Sequence, residues 1–156
     1  MDHDIKFMEI AYQEALKCLA KDEVPVGAII VKDNEVISCA HNLRETTNLA
    51  TAHAEILAIN EACERLKSWY LDECTLYVTL EPCIMCSGAI INSRIKKVVF
   101  GTYESRWLAL TNIYNCNFPV NHKPEIIEGI LGDKCSKIIK DYFKLKREKK
   151  KIKLDK

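Results

Sequence analysis

Residues 74–101, which read CTLYVTLEPCIMCSGAIINSRIKKVVFG, decide the fold. The β-forming residues of 74–80 predict a strand. Pro82 then suits the first turn of a helix, where its missing N–H costs nothing, and this helix runs to about Ser93. A second strand at 98–100 is closed by Gly101. A strand, a helix and a strand in so few residues form a βαβ unit, so we expect parallel strands and a right-handed crossover.

A helix and a hairpin are predicted before this unit. Apolar residues recur at helical spacing over residues 4–21, and Asp4 is the expected N-cap. Strands are predicted at 27–31 and 36–40. Asp and Asn both tolerate left-handed backbone, so the pair at 33–34 is expected to turn the chain between them.

A second helix and a C-terminal helix complete the predicted elements. After a polar loop at 43–51, the second helix is expected to start near Ala52. Its predicted buried stripe is Ala52, Ile56, Ile59, Cys63 and Leu66. A polar loop, a weak strand around 125–130 and a helix over about 133–150 follow the βαβ unit. These elements predict an α/β protein with one mixed sheet and helices on both faces.

Length and composition bound the possible classes. The chain has 156 residues, of which 48% are apolar and 29% charged, as in a globular protein, so we expect one domain over 1–156. No apolar run reaches the roughly 20 residues that a membrane span needs, so no membrane partner is predicted. The acidic N-terminus does not resemble a secretory signal, and a cytoplasmic location is expected.

The eight cysteines do not predict a disulfide framework, because the chain is too long and too rich in core residues for a stapled mini-domain. Four of them fall in periodic apolar segments and are interpreted as small buried hydrophobes. These are Cys18, Cys39, Cys63 and Cys74. Nothing in the sequence makes Cys116 or Cys135 reactive.

The C-terminal residues 144–156 are strongly basic. This basic tail holds eight basic and two acidic residues, a net charge of +6, while the whole chain carries +1 and residues 1–143 therefore carry −5. Two interpretations stay open: a solvated helix end, and a segment that seeks phosphate groups.

His53, Cys83 and Cys86 are the candidate metal ligands. Cys83 and Cys86 are three residues apart in one helical turn, so their sulfur atoms share a face. A helix start also favours the thiolate, which is the form that binds metal. A Cys-x-x-Cys alone also fits a redox pair or half of a zinc ribbon, but a structural zinc needs a fourth ligand. Three ligands predict a catalytic zinc with one open position.

Glu55 is the candidate general acid/base. It lies two residues from His53, in the turn that would face the metal. A carboxylate there can move a proton between a metal-activated water and a leaving amine, provided that it does not coordinate the metal. The spacing His-x-Glu followed by Pro-Cys-x-x-Cys is the known signature of zinc nucleobase deaminases. Glu81, just before Pro82, is assigned a role in its loop.

The chain resembles the cytidine deaminase superfamily and, within it, the bacterial tRNA-specific adenosine deaminases. The resemblance lies in segments that span nearly the whole chain. These are 23–28 (EVPVGA), 41–45 (HNLRE), 51–55 (TAHAE), 76–83 (LYVTLEPC) with Met85 and Cys86, 93–95 (SRI), and Tyr142-Phe143 with Arg147. It implies a three-layer α/β/α fold of the cytidine-deaminase type with a five-stranded mixed sheet.

The resemblance also implies roles for single residues. His53, Cys83 and Cys86 would bind one Zn²⁺ per subunit, and Glu55 would shuttle protons during attack on C6 of adenine. Asn42, Val26, Ala54, Phe143 and Arg147 would contact the flipped nucleotide and the RNA. The implied reaction converts adenosine to inosine at the wobble position of a tRNA anticodon loop, by a homodimer. The basic tail would lie near the RNA.

One segment departs from the family pattern. Residues 102–112 (TYESRWLALTN) lack the lysine and the two glycines that the family has in this loop beside the substrate. Trp107 would either stack on a base or fill a gap in the core. The departure leaves the metal site intact and keeps two alternatives open: a deaminase of a free nucleobase or nucleoside of the guanine, cytosine or cytidine type, and a catalytically silent binding protein.

Overall fold

A computed structural model describes residues 2–104, 106, 109–115 and 119–155. Within these ranges the helices are α1 (Asp2–Lys17), α2 (Arg44–Thr47), α3 (Ala54–Leu66), α4 (Ile84–Ser93), α5 (Ala109–Asn115) and α6 (Gly132–Leu154), with a 3₁₀ turn at Leu19–Lys21. The strands are β1 (Gly27–Lys32), β2 (Glu35–His41), β3 (Thr75–Leu80), β4 (Lys97–Thr102) and β5 (Glu125–Glu128).

The strands form one mixed sheet in the order β2-β1-β3-β4-β5. β1 is antiparallel to both β2 and β3, whereas β4 is parallel to both β3 and β5. The predicted mixed sheet and the parallel β3-α4-β4 unit are therefore confirmed. Ala28 pairs with Val78, so the start of β1 lies beside the end of β3. This pairing brings the segment before β1 and the segment after β3 together at one end of the strands.

Helices cover both faces of the sheet, which confirms the three-layer prediction. Alternate side chains of a strand point to opposite faces. Ala28, Ile30, Leu76, Val78, Val98 and Phe100 pack with α3 and α4 through residues such as Ala58, Ile59 and Ile90. Ile29, Val31, Tyr77 and Val99 pack on the other face with Phe7, Met8 and Ala11 of α1 and Cys135 of α6.

Two glycines allow the helices of the second face to lie close to the sheet. A Cβ atom at Gly27 would overlap the carbonyl oxygen of Ala11 in α1. A Cβ atom at Gly101 would overlap the side chain of Cys135 in α6. Any larger residue at either position would push its helix away from the strand.

The predicted hairpin turn is confirmed, but the predicted N-cap of α1 is wrong. Asp33 and Asn34 join β1 to β2 with φ values of 50° and 63°. Helix α1 begins at Asp2, so Asp4 lies inside it. The buried Asp4 accepts a hydrogen bond from Tyr77 Oη at 2.7 Å and lies 3.6 Å from Lys97 Nζ. Tertiary contacts with β3 and β4 therefore determine its position, and capping does not.

The buried stripe of α3 differs from the predicted one. Ala52 and Ile59 are buried as predicted, but Ile56, Cys63 and Leu66 are only partly buried. The alanines of the helix, Ala54, Ala58 and Ala62, take the positions against the sheet. Small side chains there let α3 lie close to β1 and β2, and the larger residues pack at its flanks.

Helix α5 lies in a region where a polar loop is predicted. Ala109 and Leu110 are buried in its first turn. Glu81 accepts hydrogen bonds from the backbone N–H of Thr111 at 2.9 Å and from its hydroxyl at 2.6 Å. These bonds come from a residue thirty positions away, so no local pattern in 102–112 predicts the helix. Trp107 lies outside the described residues.

Candidate active site

The first residues of two helices meet above the carboxyl end of β3. His53 is the N-cap residue of α3 and Cys83 is the N-cap residue of α4. Cys86 lies in the first turn of α4 and is fully buried. N-cap positions favour Ser, Thr, Asp or Asn, whose side chains bind the free N–H groups. Neither His53 nor Cys83 makes such a bond, so both side chains remain available for a ligand.

The three candidate ligands are grouped at distances that suit a zinc ion. The ligand atoms all lie within 4.8 Å of one another. His53 Nδ1 lies 3.6 Å from Cys83 Sγ and 3.6 Å from Cys86 Sγ. Tetrahedral zinc with Zn–S and Zn–N bonds of about 2.3 and 2.1 Å separates sulfur and nitrogen ligands by about 3.6 Å. The residues present therefore fit zinc with three protein ligands.

The two cysteines of this group have opposite pKa shifts, and only that of Cys83 favours the thiolate that binds metal. Hydrogen bonds from Cys86 and His53 outweigh the effect of burial and lower the pKa of Cys83 to about 4. The hydrogen bond to Cys83, together with burial, raises the pKa of Cys86 above its ordinary value. The hydrogen bond with Cys83 also raises the pKa of His53. Cys83 is therefore a thiolate at neutral pH, as a metal ligand must be.

Glu55 lies in the first turn of α3, beside this group. Its side chain is 4% exposed and lines the same cleft as His53 and Cys83. Burial raises the pKa of Glu55 to about 6. A carboxyl group with a pKa near the working pH can both accept and donate a proton. The arrangement thus combines a metal-binding group with a proton-transfer group.

A cleft of about 430 Å³ opens above Glu55 and the metal ligands. Four of the five predicted substrate residues line it, namely Val26, Asn42, Ala54 and Phe143. Asn42 is partly committed, because its Nδ2 donates to Val24 O at 3.2 Å and its Oδ1 accepts from Arg44 N at 3.1 Å. Each of these atoms keeps capacity for one further hydrogen bond.

Arg147, the fifth predicted substrate residue, lies outside this lining, and Lys146 lies in it. The phase of α6 explains the difference. Ile139, Tyr142, Phe143 and Lys146 follow the spacing of one helix face, whereas Arg147 is turned about 100° away from Lys146. The structure leaves Arg147 exposed.

Sequence reasoning did not single out four other residues of the cleft wall. Glu23 and Arg44 lie on one side, and Arg106 and Lys146 also line the cleft. Lys146 could have been found because it follows Phe143 by three residues and so shares its helix face. Glu23 and Arg44 lie in the family-like segments 23–28 and 41–45, but their positions at the cleft, like that of Arg106, depend on the tertiary fold.

A basic groove continues from the cleft along α6. It lies between α1 and α6 and has a volume of about 830 Å³. Tyr142 and Lys146 line both the cleft and the groove. The groove floor includes Leu16 and Ile138, and its further basic residues are Lys137, Lys149, Lys150 and Lys153. All described residues of the basic tail, 144–155, are exposed.

The remaining sequence features have simple positions. The seven cysteines that the structure describes are free thiols. Cys18, Cys74 and Cys135 are buried, Cys39 and Cys63 are partly buried, and Cys116 lies outside the described residues. In the described part of the chain, no helix is both long enough and apolar enough to cross a membrane.

Comparison with known proteins identifies the family. A family model described as MafB19-like deaminase matches residues 1–147. The tRNA-specific adenosine deaminase of Bacillus subtilis is 44% identical over 97% of this chain and 95% of its own length. The protein of the same name from Aquifex aeolicus is 46% identical over 88% of this chain and 92% of its own length.

Solved structures agree with these matches. One from a study of A-to-I editing by tRNA:A34 deaminases at the wobble position of transfer RNA has a TM-score of 0.81 and 37% identity, covering 85% of this chain and 98% of that chain. The guanine deaminase of Bacillus subtilis has a TM-score of 0.62 and 40% identity, over 64% of each chain. With the metal-binding group and Glu55 in the same cleft, these matches show that the chain is an enzyme that belongs to the MafB19-like deaminases, within the tRNA-specific adenosine deaminase family.

Proposed function

We propose that this protein converts adenosine to inosine at the wobble position of a tRNA anticodon loop, as a zinc-dependent hydrolytic deaminase. The observation that supports this most directly is the juxtaposition of His53, Cys83, Cys86 and Glu55 beneath one cleft. The names of the relatives specify the substrate as tRNA. We treat residues 1–156 as one deaminase domain that includes the basic tail.

The proposed metal is one Zn²⁺ per chain, held by His53, Cys83 and Cys86. When bound, zinc with three protein ligands offers one position for water and lowers the pKa of that water to about 7. The donor set of one imidazole and two thiols, and the 3.6 Å separations, support this assignment.

Glu55 moves the protons of the reaction. Deamination forms a bond between water oxygen and C6 of adenine, breaks the C6–N bond and releases ammonia. Glu55 accepts one proton from the attacking water and delivers it to the adenine ring, then accepts the second from the hydroxyl formed at C6 and delivers it to the leaving amine. Its burial keeps bulk water from competing for these protons.

The cleft walls hold the substrate. Val26 and Ala54 contact the base, and the free hydrogen-bonding capacity of Asn42 binds the flipped nucleotide. Phe143 and Lys146 place an aromatic ring and a charge at the α6 wall. An anticodon loop is single-stranded and can release a base into such a cleft. Arg147 and the basic tail contact phosphates beyond the cleft, and the reaction takes place in the cytoplasm.

A homodimer is the proposed assembly. Helix α4 also carries apolar residues on its outward face, where Ile84 is 75% exposed and a Cβ atom added at Gly88 would meet no atom within 4 Å outside the nearby helix backbone. An exposed apolar patch on a helix favours contact with a partner. Light scattering, which measures the molar mass in solution, tests this assembly. We expect the mass of a dimer for the wild type and the mass of a monomer for Ile91→Asp, which changes the same face of α4. The matched control Ile152→Asp, on the exposed part of α6, should keep the mass of the wild type. Equal masses for the wild type and both variants contradict the assignment.

A panel of substrates tests the proposed function against the free-base alternative, which the similarity to guanine deaminase favours. The zinc-loaded protein is incubated with an arginine tRNA of anticodon ACG and, separately, with adenosine, cytidine and guanine. We expect inosine at the wobble position and no ammonia from the free compounds, with loss of product for Glu55→Gln. Ammonia from guanine or cytidine, without inosine in the tRNA, contradicts the assignment.

A further inference from the structure

Two buried carboxylates flank the cleft without belonging to the metal-binding group. Glu23 is 0% exposed and Glu81 is 2% exposed. Glu23 precedes β1 and Glu81 follows β3. Since the start of β1 lies beside the end of β3, both carboxylates lie at the same end of the strands as Cys83.

Each carboxylate accepts three hydrogen bonds, Glu23 from two adjacent residues of α2 and Glu81 from Glu104 and from Thr111 of α5. Glu23 accepts from the backbone N–H of Glu45 at 2.9 Å, and from the N–H and the hydroxyl of Thr46 at 2.7 Å each. Glu81 accepts from the N–H of Glu104 at 3.3 Å, and from the N–H and hydroxyl of Thr111 at 2.9 and 2.6 Å. The two sets have the same composition: two backbone donors and one threonine hydroxyl.

The two anchored segments form parts of the cleft wall. Arg44 and Glu45 line the cleft from α2, and Glu104 and Arg106 line it from the segment after β4. In each segment the arginine contacts a nearby glutamate: Arg44 Nη2 lies 3.8 Å from Glu45, and Arg106 Nε lies 3.1 Å from Glu104. The Arg44 pair is long and exposed, so it is weak and can be exchanged for a contact with phosphate, whereas Arg106 holds Glu104 through two hydrogen bonds of 3.1 and 3.3 Å.

Of the two anchored segments, α2 depends more on its anchor, because α5 also packs through its buried residues Ala109 and Leu110. Helix α2 has only four residues and buries none of them, so packing does not fix it. Burial alone raises the pKa of Glu23, but hydrogen bonds from Thr46 and Glu45 more than offset this and leave the pKa below its ordinary value. A buried carboxylate with three donors is stable as an anion, whereas the same group without them is not.

We infer that Glu23 and Glu81 are positioning residues that fix two walls of the substrate cleft, each through one segment. They hold Arg44 and Arg106 in place in the cleft wall and so set the width of the cleft. Neither carboxylate contacts the reacting atoms. This inference rests on the proposed function only in that the cleft receives the anticodon loop.

Amide hydrogen exchange tests the anchoring without any substrate. Glu23→Gln replaces one acceptor oxygen with an NH₂ group that faces N–H or O–H donors, and Glu81→Gln does the same. We expect faster exchange at residues 44–47 alone in Glu23→Gln, and at 104 and 111 alone in Glu81→Gln. Asp4→Asn is the matched control, a buried carboxylate bonded to Tyr77 Oη, and leaves both segments unchanged. Unchanged exchange in both glutamine variants overturns the inference.

Kinetics on the tRNA then separate positioning from a merely structural role. We expect KM to rise roughly tenfold or more in each glutamine variant, with kcat and zinc content near those of the wild type, because the lost contacts act on substrate binding. A loss of stability alone lowers the active fraction and therefore kcat, as expected for Asp4→Asn. Unchanged KM with a reduced kcat in both variants overturns the inference.

Milder variants keep the test decisive if the glutamine variants do not fold. Thr46→Val and Thr111→Val each remove one of the three donors and keep the carboxylate. A raised KM in both supports the inference, and wild-type KM in both overturns it.

Failure of the proposed function is distinguishable from failure of this inference. If the wild type deaminates free guanine but not tRNA, the proposed function fails, whereas the exchange experiment still decides whether Glu23 and Glu81 anchor the two segments.

Discussion

The metal-binding end of the cleft and the C-terminal half of α6 are built in opposite ways. His53, Cys83 and Cys86 converge within 4.8 Å on two helix starts, beside a buried Glu55. Every described residue of the basic tail is exposed, and nearly all of them belong to the C-terminal part of α6. Chemistry at one end needs fixed distances, whereas phosphate binding at the other needs charge along a path. If this division holds, changes at the metal-binding end lower the rate of the reaction, whereas changes along the basic tail weaken substrate binding.

Removal of one metal ligand is expected to have the largest effect. Cys86→Ala leaves only two protein ligands. Mutation of residues that merely hydrogen-bond to metal ligands lowers metal affinity by roughly 10–100-fold, so the loss of a ligand should lower it by at least as much. Zinc content by mass spectrometry and inosine formation should fall together. The control is Cys135→Ala, which changes a buried thiol on the other face of the sheet and should retain zinc. Full zinc content in Cys86→Ala would contradict the ligand assignment.

Loss of the proton-transfer group should abolish turnover without loss of metal. Glu55→Gln keeps the size of the buried side chain and removes its titration, so kcat should fall by about 10²–10⁴-fold. The zinc content should stay that of the wild type, because Glu55 is not among the ligands. Single-turnover rates on tRNA measure the effect. Wild-type rates in this variant would remove Glu55 from the mechanism.

Shortening the basic tail should weaken substrate binding and leave the chemistry intact. A chain that ends at residue 143 loses residues 144–155, all of which the structure shows as exposed, so the fold should persist. We expect KM for tRNA to rise roughly tenfold or more and its salt dependence to become shallower, since fewer phosphates are neutralised. Steady-state kinetics at several salt concentrations test this. A reduced kcat with unchanged KM would contradict the division between the two ends.

The smallest effect is expected at the N-terminal half of α6, which packs on α1. Lys134 Nζ lies 2.7 Å from Glu9 of α1, and both side chains are about 40% exposed. Because solvent screens such a pair, Lys134→Ala should lower the free energy of unfolding by about 0.2–1 kcal/mol. Its KM for tRNA should match the wild type, which urea unfolding and kinetics together check. A change of KM as large as that from tail removal would place RNA contacts on both halves of α6.

The same contrast explains which features the sequence predicts. The strands around residues 74–101, the turn at Asp33–Asn34 and the parallel βαβ unit depend on local patterns, and the structure agrees with them. The metal ligands are predicted from two short spacings on helix starts, and the structure brings their atoms together. Local patterns were sufficient in these cases because each motif lies within one turn, one strand or one short strand-helix-strand unit.

Features that depend on distant partners were not predicted. Asp4 is of a residue type that often caps helices, but its contacts with Tyr77 and Lys97 place it inside α1. Helix α5 lies in an unusual segment and is held by Glu81 from thirty residues away. Likewise, the roles of Glu23 and Glu81 depend on the antiparallel pairing of β1 and β3. No pattern within a single window of sequence contains these relations.

The most direct test of the central claim is inosine formation as a function of bound zinc. The metal-free protein is titrated with zinc, and the wobble position of the ACG tRNA is analysed by mass spectrometry after each addition. We predict that the rate rises in proportion to bound zinc and levels off at one ion per chain, with no rise for Cys86→Ala. Inosine formation at full rate by the metal-free protein, or in Cys86→Ala, would contradict the account.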